Sequence, residues 1–398
     1  MKKTEQEALY STIQDFVGKS WNGSDLYPDP CGWTPIQGVS CDLFDGFWYV
    51  TELIIGPIHD NSLKCAQDVE LISSHLFSLR HLKSLSFFKC FISPHHHPVA
   101  LPTENWLSLA GCLEVLEFRS NPGLVTLIPA SFGYLRNLHS LVLIQNELKG
   151  EIPTTIGNLI NLKQLDLAGN SFTGRIPESF GGLIQLLILD MSKNSLSGTL
   201  PSSFGGLTSL LKLDLSNNQL EGKIPYELGN LKKLTLLDLS NNRFSGGLTK
   251  SFEDMSSLEE LILSNNPIGG ELRNLGWPNL IGLTVLDLSN TSLIGGIPES
   301  LAELKGLRFL GLHDNKLTGD IPTKLSFLPN VSAMYLNGNN LTGEIKFSEW
   351  FYGKMGQRFR VWDNPNLCYS IGSIGTSHFP SGVKQCQQEA KMHQLKFR

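Results

Sequence analysis

An asparagine recurs along this chain at a fixed interval. The six clearest copies each lie 24 residues from the next: Asn146, Asn170, Asn194, Asn218, Asn242 and Asn266. The series extends in both directions, with a cysteine and a threonine at two positions: Cys90, Asn121, Thr291, Asn315 and Asn339. Self-similarity at a period of this length is the signature of a repeat architecture, so the sequence predicts about eleven stacked turns rather than one compact core.

The leucines around each asparagine are also fixed in position. Residues 162–186 read LKQLDLAGNSFTGRIPESFGGLIQL, and the alternation in LKQLDL predicts a short strand that points Leu165 and Leu167 inward. One turn cannot bury these leucines alone, so we expect strands of successive turns to pair in parallel. The amide of Asn170 carries both a donor and an acceptor, and is expected to satisfy backbone groups of adjacent turns.

The composition excludes two kinds of partner. The net charge is −5 and only 17% of residues are charged, so no basic surface for nucleic acid is expected. No apolar run approaches the ~18 residues that a membrane-spanning helix needs. The opening MKKTEQEALY has no apolar segment behind its lysines, and we take any secretory signal peptide to have been removed or omitted.

The two ends differ from the repeats. Residues 5–17 have apolar positions at helical spacing, and Thr4 with Glu7 fits a capping box. This helix and the Pro- and Gly-rich loop after it predict an N-terminal cap over residues 1–49. The repeat solenoid is expected over residues 50–345, irregular to about residue 112, with a C-terminal cap and polar tail over 346–398.

Seven cysteines predict disulfides at both caps. Position in the caps pairs Cys31 with Cys41 and Cys368 with Cys386. Cys65 with Cys90 is a third candidate pair, and the alternative for Cys90 is a buried thiol at the asparagine position. Four N-x-S/T sequons are candidate glycosylation sites: Asn22, Asn290, Asn330 and Asn340. Cap disulfides and sequons together predict an extracellular location, secreted or held at the cell surface.

No constellation in the sequence predicts catalysis, a cofactor or a metal. A column of aspartates in the LDLS motifs is interpreted as solvated strand residues, because parallel strands place them side by side without convergent geometry: Asp166, Asp190, Asp214, Asp238 and Asp287. The consecutive His95, His96 and His97 cannot all face one ion, so an exposed loop is expected there.

The repeat L-x-x-L-x-L-x-x-N-x-L-x-G-x-I-P resembles that of plant extracellular leucine-rich-repeat proteins, as in LDLAGNSFTGRIP and LDLSNNQLEGKIP. The segments DPCGWTPIQGVSC and DNPNLC are similar to the two caps of that class. More narrowly, SLSFFKCF and LEFRSNPGL resemble plant receptor-like proteins of the Piriformospora indica-insensitive type. The expected fold class is an α/β solenoid, a right-handed superhelix with a parallel β-sheet on its concave face and disulfide-stapled caps.

This resemblance implies a non-catalytic extracellular recognition module. Such a receptor-like protein lacks a kinase, binds a protein or peptide ligand and signals through a membrane receptor kinase, here in plant response to root-colonising fungi. The alternative is a secreted inhibitor of a microbial wall-degrading glycosidase, of the polygalacturonase-inhibitor type. The two functions share one fold, so only the partner separates them.

The candidate ligand-binding residues are strand positions on the open face where the usual pattern fails. In the late turns they are Arg308, Phe309, Gly311, His313, Asp314, Tyr335 and Asn337, and in the early turns Phe88, Lys89, Glu117 and Arg119. Exposed aromatic and arginine side chains on a rigid surface are typical of binding hot spots. The alternative is loose selection on the end turns.

Overall fold

The structure is a computed structural model that describes residues 1–57, 64–66, 69, 71, 74–92, 98–370 and 381–386. Two compact units divide the chain, Met1–Phe244 (unit 1) and Ser245–Arg398 (unit 2). Each unit is a stack of similar turns. The boundaries of the caps at residues 49 and 346 stay predictions.

Unit 1 begins with two helices, α1 (Lys3–Val17) and α2 (Gly23–Leu26). Its strands in chain order are β1 (Val39–Phe44), β2 (Phe47–Ile55), β3 (Ser84–Phe88), β4 (Val115–Arg119), β5 (Ser140–Ile144), β6 (Lys149–Glu151), β7 (Gln164–Asp166), β8 (Ser171–Thr173), β9 (Ile188–Asp190), β10 (Ser197–Thr199), β11 (Lys212–Asp214), β12 (Gln219–Gly222), β13 (Leu236–Asp238) and β14 (Arg243–Phe244). The main sheet of unit 1 runs β1-β2-β3-β4-β5-β7-β9-β11-β13, antiparallel at β1-β2 and parallel in the pairs that follow. The short strands pair on a second side as β6-β8 and β10-β12-β14.

Unit 2 repeats this plan. Its strands are β15 (Glu260–Ile262), β16 (Val285–Asp287), β17 (Ile294–Gly295), β18 (Phe309–Gly311), β19 (Lys316–Gly319), β20 (Ala333–Tyr335), β21 (Asn340–Glu344), β22 (Phe359–Arg360), β23 (Asn366–Tyr369) and β24 (Lys384–Gln385). The main sheet of unit 2 is β15-β16-β18-β20-β22, the second is β17-β19-β21-β23-β24, and helix α3 spans Glu349–Met355.

Short 3₁₀ helices return the chain from the second side to the main sheet. In unit 1 they are Leu76–Ser78, Asn105–Leu109, Ala130–Tyr134, Thr154–Asn158, Glu178–Gly182, Ser202–Gly206 and Tyr226–Asn230. In unit 2 they are Lys250–Asp254, Leu272–Asn274, Trp277–Asn279, Glu299–Glu303, Thr323–Phe327 and Gly356–Arg358. Several begin directly after the proline of the I-P motif, as at Pro177, whose fixed φ places the helix start.

The repeated asparagine bridges neighbouring turns, as expected. The amide oxygen of Asn218 accepts a hydrogen bond of 3.0 Å from the backbone N–H of Leu196, which lies in the preceding turn. Its amide nitrogen donates to the carbonyls of Met191 at 2.9 Å and Leu215 at 3.1 Å. One side chain thus bonds three buried backbone groups, and the neighbouring Asn194 and Asn242 also donate to the Met191 and Leu215 carbonyls, so the ladder as a whole fixes the spacing of the turns.

The residue before each asparagine adopts a left-handed conformation. Positive φ angles occur at Lys89, Ser120, Gln145, Lys193, Asn217, Asn241, Asn265, Asn290, Asp314 and Asp363, and at the glycines Gly169 and Gly338 in two further turns. The chain must reverse at this point to leave the strand. Asparagine, aspartate and glycine tolerate that conformation best, which explains their frequency there.

The predicted capping box of α1 is wrong. The helix begins at Lys3, so Thr4 and Glu7 lie inside its first two turns, and no side chain caps it. A tertiary contact holds the first turn of the helix instead. The buried carboxylate of Glu5 accepts a hydrogen bond of 3.2 Å from the backbone N–H of Val50. This contact ties the helix to β2.

The structure contains three disulfides: Cys31–Cys41, Cys65–Cys90 and Cys368–Cys386. Cys90 therefore stands at the asparagine position as a bonded cysteine, and the Asn121 amide accepts from its backbone N–H at 2.8 Å. Cys112 is a half-buried free thiol.

The asparagine ladder has one more rung than the sequence indicated. The Asn364 amide accepts from the Leu341 N–H and donates to the Leu336 carbonyl, both at 3.0 Å. The main sheet likewise continues to β22. The last rung brings residues of the C-terminal region onto the strand face.

Candidate ligand-binding face

Parallel register aligns the outward side chains of unit 2 in rows. One row, called here the central row, consists of Asp287, Gly311, Tyr335 and Arg360, because these residues pair in sequence across β16, β18, β20 and β22. Side chains in such a row lie about 4.8 Å apart from strand to strand. A ligand laid across the face therefore meets several turns at once.

Two aromatic rings meet where the row crosses β18 and β20. The rings of Phe309 and Tyr335 lie edge to face, with centroids 5.4 Å apart and planes at 89°. Gly311 makes this possible, because a Cβ there would lie 2.9 Å from the Phe309 ring and 2.6 Å from the Asp287 carboxylate. Phe309 thus reaches across the space that a side chain at position 311 would fill.

The guanidinium of Arg360 lies over the Tyr335 ring. The Arg360 guanidinium carbon is 4.0 Å from the Tyr335 ring centroid and 5.6 Å from that of Trp362. The His313 ring lies 6.2 Å from that of Tyr335 and bonds the Asp314 carboxylate at 2.8 Å. Cation–π contact holds a planar guanidinium in one orientation. Phe309, His313, Tyr335, Arg360 and Trp362 are called the late-turn cluster below.

Three of the seven predicted late-turn residues lie in strands, and four lie just outside them. Phe309, Gly311 and Tyr335 are strand residues as predicted. The remaining four are not in strands, which corrects the sequence interpretation: Arg308 precedes β18, His313 and Asp314 follow it, and Asn337 follows β20. The backbone of Asp314 has a positive φ and its side chain is exposed, because this residue lies in the turn that follows β18 rather than in the sheet.

Sequence reasoning missed Arg360 and Trp362. Both were assigned to the C-terminal cap, where Phe359 and Val361 replace the leucines of the repeat. The spacing held a usable signal, since Asn364 lies 25 residues after Asn339, as Thr291 does after Asn266. Extending the period by one rung would have placed Arg360 in line with Tyr335.

Two of the four early-turn candidates, Glu117 and Arg119, form an ion pair in unit 1. Arg119 bonds Glu117 through two nitrogens, each at 3.0 Å, so their charges are neutralised on the face. Phe88 is the strand neighbour of Arg119. Lys89 was predicted as a strand residue and is not one: it is exposed and left-handed after β3, with its ammonium 5.1 Å from the Phe88 ring.

The aspartate column is not simply solvated, which corrects a second interpretation. In unit 1, Asp166, Asp190, Asp214 and Asp238 align across neighbouring strands. Asp190 is only 8% exposed, and Lys212 lies 2.9 Å from it and 3.7 Å from Asp214. The carboxylates also accept from serines two residues on, as Asp190 does from Ser192. Asp190 is therefore buried, and the other three aspartates are half-buried.

Burial raises the pKa of the Asp166 carboxyl from 3.8 to about 6, and the charge of Asp190 adds to the effect. The backbone N–H of Ala168, 3.2 Å from the carboxylate, opposes the shift. Burial also raises the pKa of Asp214, with Asp190 again contributing. Closely spaced carboxylates with one nearby ammonium are expected to behave in this way.

The four sequon asparagines are exposed: Asn22, Asn290, Asn330 and Asn340. An exposed position is what a glycan acceptor requires, and attachment itself stays a prediction. His95, His96 and His97 lie outside the described residues. Within the described ranges, no three His, Cys, Asp or Glu side chains are grouped to hold a metal ion. No helix in the described part of the chain has the length and apolarity to cross a bilayer.

Two protein-family models match the sequence of these turns. One, a leucine-rich repeat region, matches residues 81–278, and another, a leucine-rich repeat, matches residues 282–304. Together they cover more than half of the chain. The chain is a leucine-rich-repeat protein. The predicted fold class is thereby confirmed, with its parallel sheet and its disulfides.

Curated relatives of this leucine-rich-repeat protein come from Arabidopsis thaliana. Piriformospora indica-insensitive protein 2 is 58% identical over 146 residues, which is 37% of this chain and 34% of that protein. Receptor like protein 29 is 36% identical over 149 residues, 37% of this chain and 30% of that protein. The matched part spans about a third of the length of these relatives. The predicted resemblance to the Piriformospora indica-insensitive type is confirmed.

Solved structures of plant receptors share the fold. One is a plant peptide hormone receptor, RGFR1, in complex with RGF2: TM-score 0.63, 27% identity, 85% of this chain and 61% of that chain. Another is the ectodomain of the Arabidopsis receptor kinase HAESA with a peptide hormone ligand: TM-score 0.60, 26% identity, 93% of this chain and 71% of that chain.

Proposed function

We propose that this leucine-rich-repeat protein is a non-catalytic recognition module that binds a protein or peptide ligand through the late-turn cluster. The observation that carries the proposal is the Phe309–Tyr335–Arg360 arrangement on an outward face of rigid parallel strands. Aromatic and arginine side chains held in one geometry lose little entropy on binding and are the residue types enriched in hot spots.

The related proteins support a ligand of this class. Both solved receptors named above hold a peptide hormone, and they share the strand arrangement on which the cluster is built. The relation to Piriformospora indica-insensitive protein 2 supports a role in plant response to root-colonising fungi. We assign the protein to the extracellular space or cell surface, because disulfides persist in oxidising compartments.

The proposal includes a membrane receptor kinase as the signalling partner. A rigid binding face produces a signal only when its ligand alters contact with a second protein, and HAESA is itself a receptor kinase with this fold. The ligand would then be shared between the two proteins. This part predicts a complex that forms with ligand and not without it.

The test compares ligand binding by variants of one folded protein. Secreted plant peptides and recombinant receptor-kinase ectodomains are offered to the native protein and to Phe309→Ala and Tyr335→Ala, with affinity measured by biolayer interferometry. Each substitution is expected to weaken binding by about 1–3 kcal/mol, as truncation of aromatic anchors does. Phe327→Ala is the matched control, because Phe327 is 76% exposed in unit 2 but belongs to a 3₁₀ helix.

Two results would contradict the proposal. Asp214→Ala, on the strand face of unit 1, is expected to leave affinity unchanged, so a large loss there with silent aromatic variants would place the site elsewhere. A panel of fungal wall-degrading glycosidases is assayed in parallel. Inhibition of such an enzyme, without any peptide or kinase binding, would favour the inhibitor function over recognition.

A further inference from the structure

The first strand of unit 1, β1, has one edge that pairs with β2 and one edge that pairs with no strand among the described residues. The turn of Asp45 and Gly46, with φ angles of 48° and 81°, joins β1 to β2 as a two-residue hairpin, the form that Asp-Gly favours. Such a turn makes Phe44 and Phe47 a hydrogen-bonded pair, and pairs of this type then alternate with non-bonded pairs along the ladder.

This alternation decides which backbone groups of β1 face the free edge. Asp42, opposite Tyr49, is the next hydrogen-bonded residue, so Leu43 and Cys41 point their N–H and C=O groups away from β2. Within the described part of the chain, no backbone bond outside the ladder reaches Cys41 or Leu43. The register shift of the hairpin lies between Ser40 and Cys41, so the strand is regular from residue 41 to residue 44. An edge of this kind is a template for a further strand.

The face of the hairpin beside this edge is apolar and exposed. Leu43 is 57% exposed and pairs with Trp48, which is 41% exposed. Cys41 lies on the same face, two residues before Leu43, and its disulfide to Cys31 holds the loop that carries Trp33, which is 88% exposed. Since a large aromatic side chain has ~150–250 Å² of surface, the three exposed side chains present roughly 400 Å². Apolar surface of this extent commonly marks an interaction site.

Proteins usually protect an exposed edge strand with lysine, proline or a bulge. From residue 41 to residue 44 the strand reads CDLF, which contains neither lysine nor proline. Its one charged residue is Asp42, whose carboxylate lies 3.1 Å from the ammonium of Lys83 in the next turn. The charge is thus paired, and the edge stays open to another strand.

We propose that the free edge of β1 pairs with β1 of a second copy of this chain, in an antiparallel, two-fold symmetric contact centred on Asp42. In that register Cys41 of each copy lies opposite Leu43 of the other, and each of these pairs exchanges two backbone hydrogen bonds. Leu43 then lies beside the disulfide and the Trp33 loop of the other copy. The inference goes beyond the proposed function, because it concerns unit 1 and not the late-turn cluster.

The charges at the centre of this contact suit a second copy. The pairing sets Asp42 directly opposite Asp42 of the other copy, and like charges in that position destabilise a sheet. Each carboxylate brings its own Lys83 ammonium at 3.1 Å, so the contact holds two acids and two lysines and has no net charge. An isologous contact requires such self-complementarity.

The area of the contact predicts a reversible dimer. Two patches of roughly 400 Å² supply about 800 Å², and the edge backbone adds to this, which places the interface near the lower limit of ~1,000–1,200 Å² for specific contacts. We therefore expect dimers that form at micromolar concentration and dissociate on dilution, rather than an obligate dimer.

Sedimentation velocity of the full chain measures the equilibrium between one copy of 44.0 kDa and two. The native protein is followed from about 0.1 to about 100 µM, a range in which mass action resolves a micromolar dissociation constant. Leu43→Pro removes an outward N–H, a change that an edge strand tolerates, and Trp48→Lys places a charge in the apolar face. Each should raise the Kd about 10-fold or more. Leu107→Lys, at a 51% exposed leucine of a 3₁₀ helix in unit 1, is the control and should leave the Kd unchanged.

A charge swap distinguishes a second copy from any other occupant of the edge. Asp42→Lys, beside Lys83, brings together two positive charges from each copy and should raise the Kd about 10-fold or more. Adding Lys83→Asp restores an opposite pair in each copy, and should return the Kd to within about 3-fold of the native value, since coupled residues are not additive. A partner of different sequence would meet reversed charges and would not regain its affinity.

Hydrogen exchange locates the contact, because the peptide that contains Cys41 and Leu43 should exchange more slowly at high than at low protein concentration. Circular dichroism confirms that each variant is folded, and Trp48→Lys and the charge swap decide the matter if Leu43→Pro does not fold. Phe309→Ala should dimerise like the native protein, so its loss of ligand binding tests the proposed function separately.

Three results would overturn the inference. The first is a native protein that stays monomeric over the whole range. The second is a dimer whose Kd is unchanged by Trp48→Lys and Leu43→Pro, and the third is a charge swap that fails to restore dimers. A monomer that binds vesicles of anionic phospholipid, and loses that binding with Trp48→Lys, would assign the patch to a lipid surface instead.

Discussion

The ammonium of Lys212 lies 2.9 Å from the carboxylate of Asp190, a residue that is only 8% exposed. Lys212 stands one strand further along the sheet, so the pair crosses between turns rather than within one. Because Lys212 also lies 3.7 Å from Asp214, its charge acts on two neighbouring aspartates of the column.

Lys212→Met should destabilise the protein by about 1–2 kcal/mol, because it leaves Asp190 buried without its cation, discounted for the partial exposure of Lys212. The free energy of unfolding from urea titration measures the effect. Lys233→Met, an exposed lysine in the next turn, is the control and should change stability by less than about 0.5 kcal/mol. Equal losses from the two variants would show that the Asp190 contact has no special weight.

Stability should fall as pH rises between about 4 and 6 because of Asp166. Its pKa is raised from 3.8 to about 6 in the folded protein, mainly by burial, so the folded state binds the proton more tightly than the unfolded state. The resulting stabilisation is complete below pH 4 and is lost as pH passes through 6. Asp166→Asn should remove this component, roughly 1 kcal/mol after allowance for solvent screening of a partly exposed group.

The measurement for Asp166 is a set of denaturant titrations at several pH values, read as the difference between native and variant proteins. Asp320→Asn, at an exposed aspartate of unit 2, is the control and should follow the native curve. An Asp166→Asn protein whose pH dependence matches that of the native protein would exclude this carboxyl as the source.

The repeat period explains why so much of the fold was predictable. Leu165, Leu167 and Asn170 recur in nearly every turn, and each recurrence confirms the role of the others, so strand position and core direction follow from sequence alone. The burial of Asp190 could not be predicted in this way. It depends on Lys212 from the next turn, and the register of two turns decides which side chain covers which.

The candidate site was predictable only where it coincided with the repeat. Phe309 and Tyr335 stood out because they occupy regular strand positions with irregular residues. Arg360 and Trp362 lie where the leucines give way to Phe359 and Val361, so the pattern weakened just before the residues that complete the cluster. The geometry that joins Arg360 to Tyr335 is a contact between turns, which no single repeat contains.

Asn218→Ala should cost about 1–3 kcal/mol in stability, because it leaves the buried Leu196 N–H without its acceptor. The Met191 and Leu215 carbonyls lose one hydrogen bond each but keep those donated by Asn194 and Asn242. Asn161→Ala is the matched control, because its exposed amide donates a single bond to the Arg136 carbonyl. Thermal unfolding of the two variants should differ clearly, and similar midpoints would remove the ladder as a main source of stability.

Gly311→Ala should weaken ligand binding more than it weakens the fold. A Cβ at this position would lie 2.6 Å from the Asp287 carboxylate and 2.9 Å from the Phe309 ring, so both side chains must shift and the edge-to-face contact of Phe309 with Tyr335 is disturbed. Both side chains are outside the leucine core, and displacing them should cost about 1 kcal/mol or less in stability. Displacement of the anchor should reduce affinity for cluster-binding peptides by about 10-fold, within the range for hot-spot truncation.

Gly111→Ala is the control for Gly311→Ala, since a Cβ there meets no atom within 4 Å. Its affinity and urea midpoint should match those of the native protein. Unfolding and binding are measured on the same preparations, so the two effects of Gly311→Ala can be compared directly. If stability collapsed while affinity per folded molecule stayed native, Gly311 would serve the packing of β18 alone. Unchanged affinity with unchanged stability would mean that Phe309 binds equally well from another position, and the edge-to-face contact with Tyr335 would have no part in recognition.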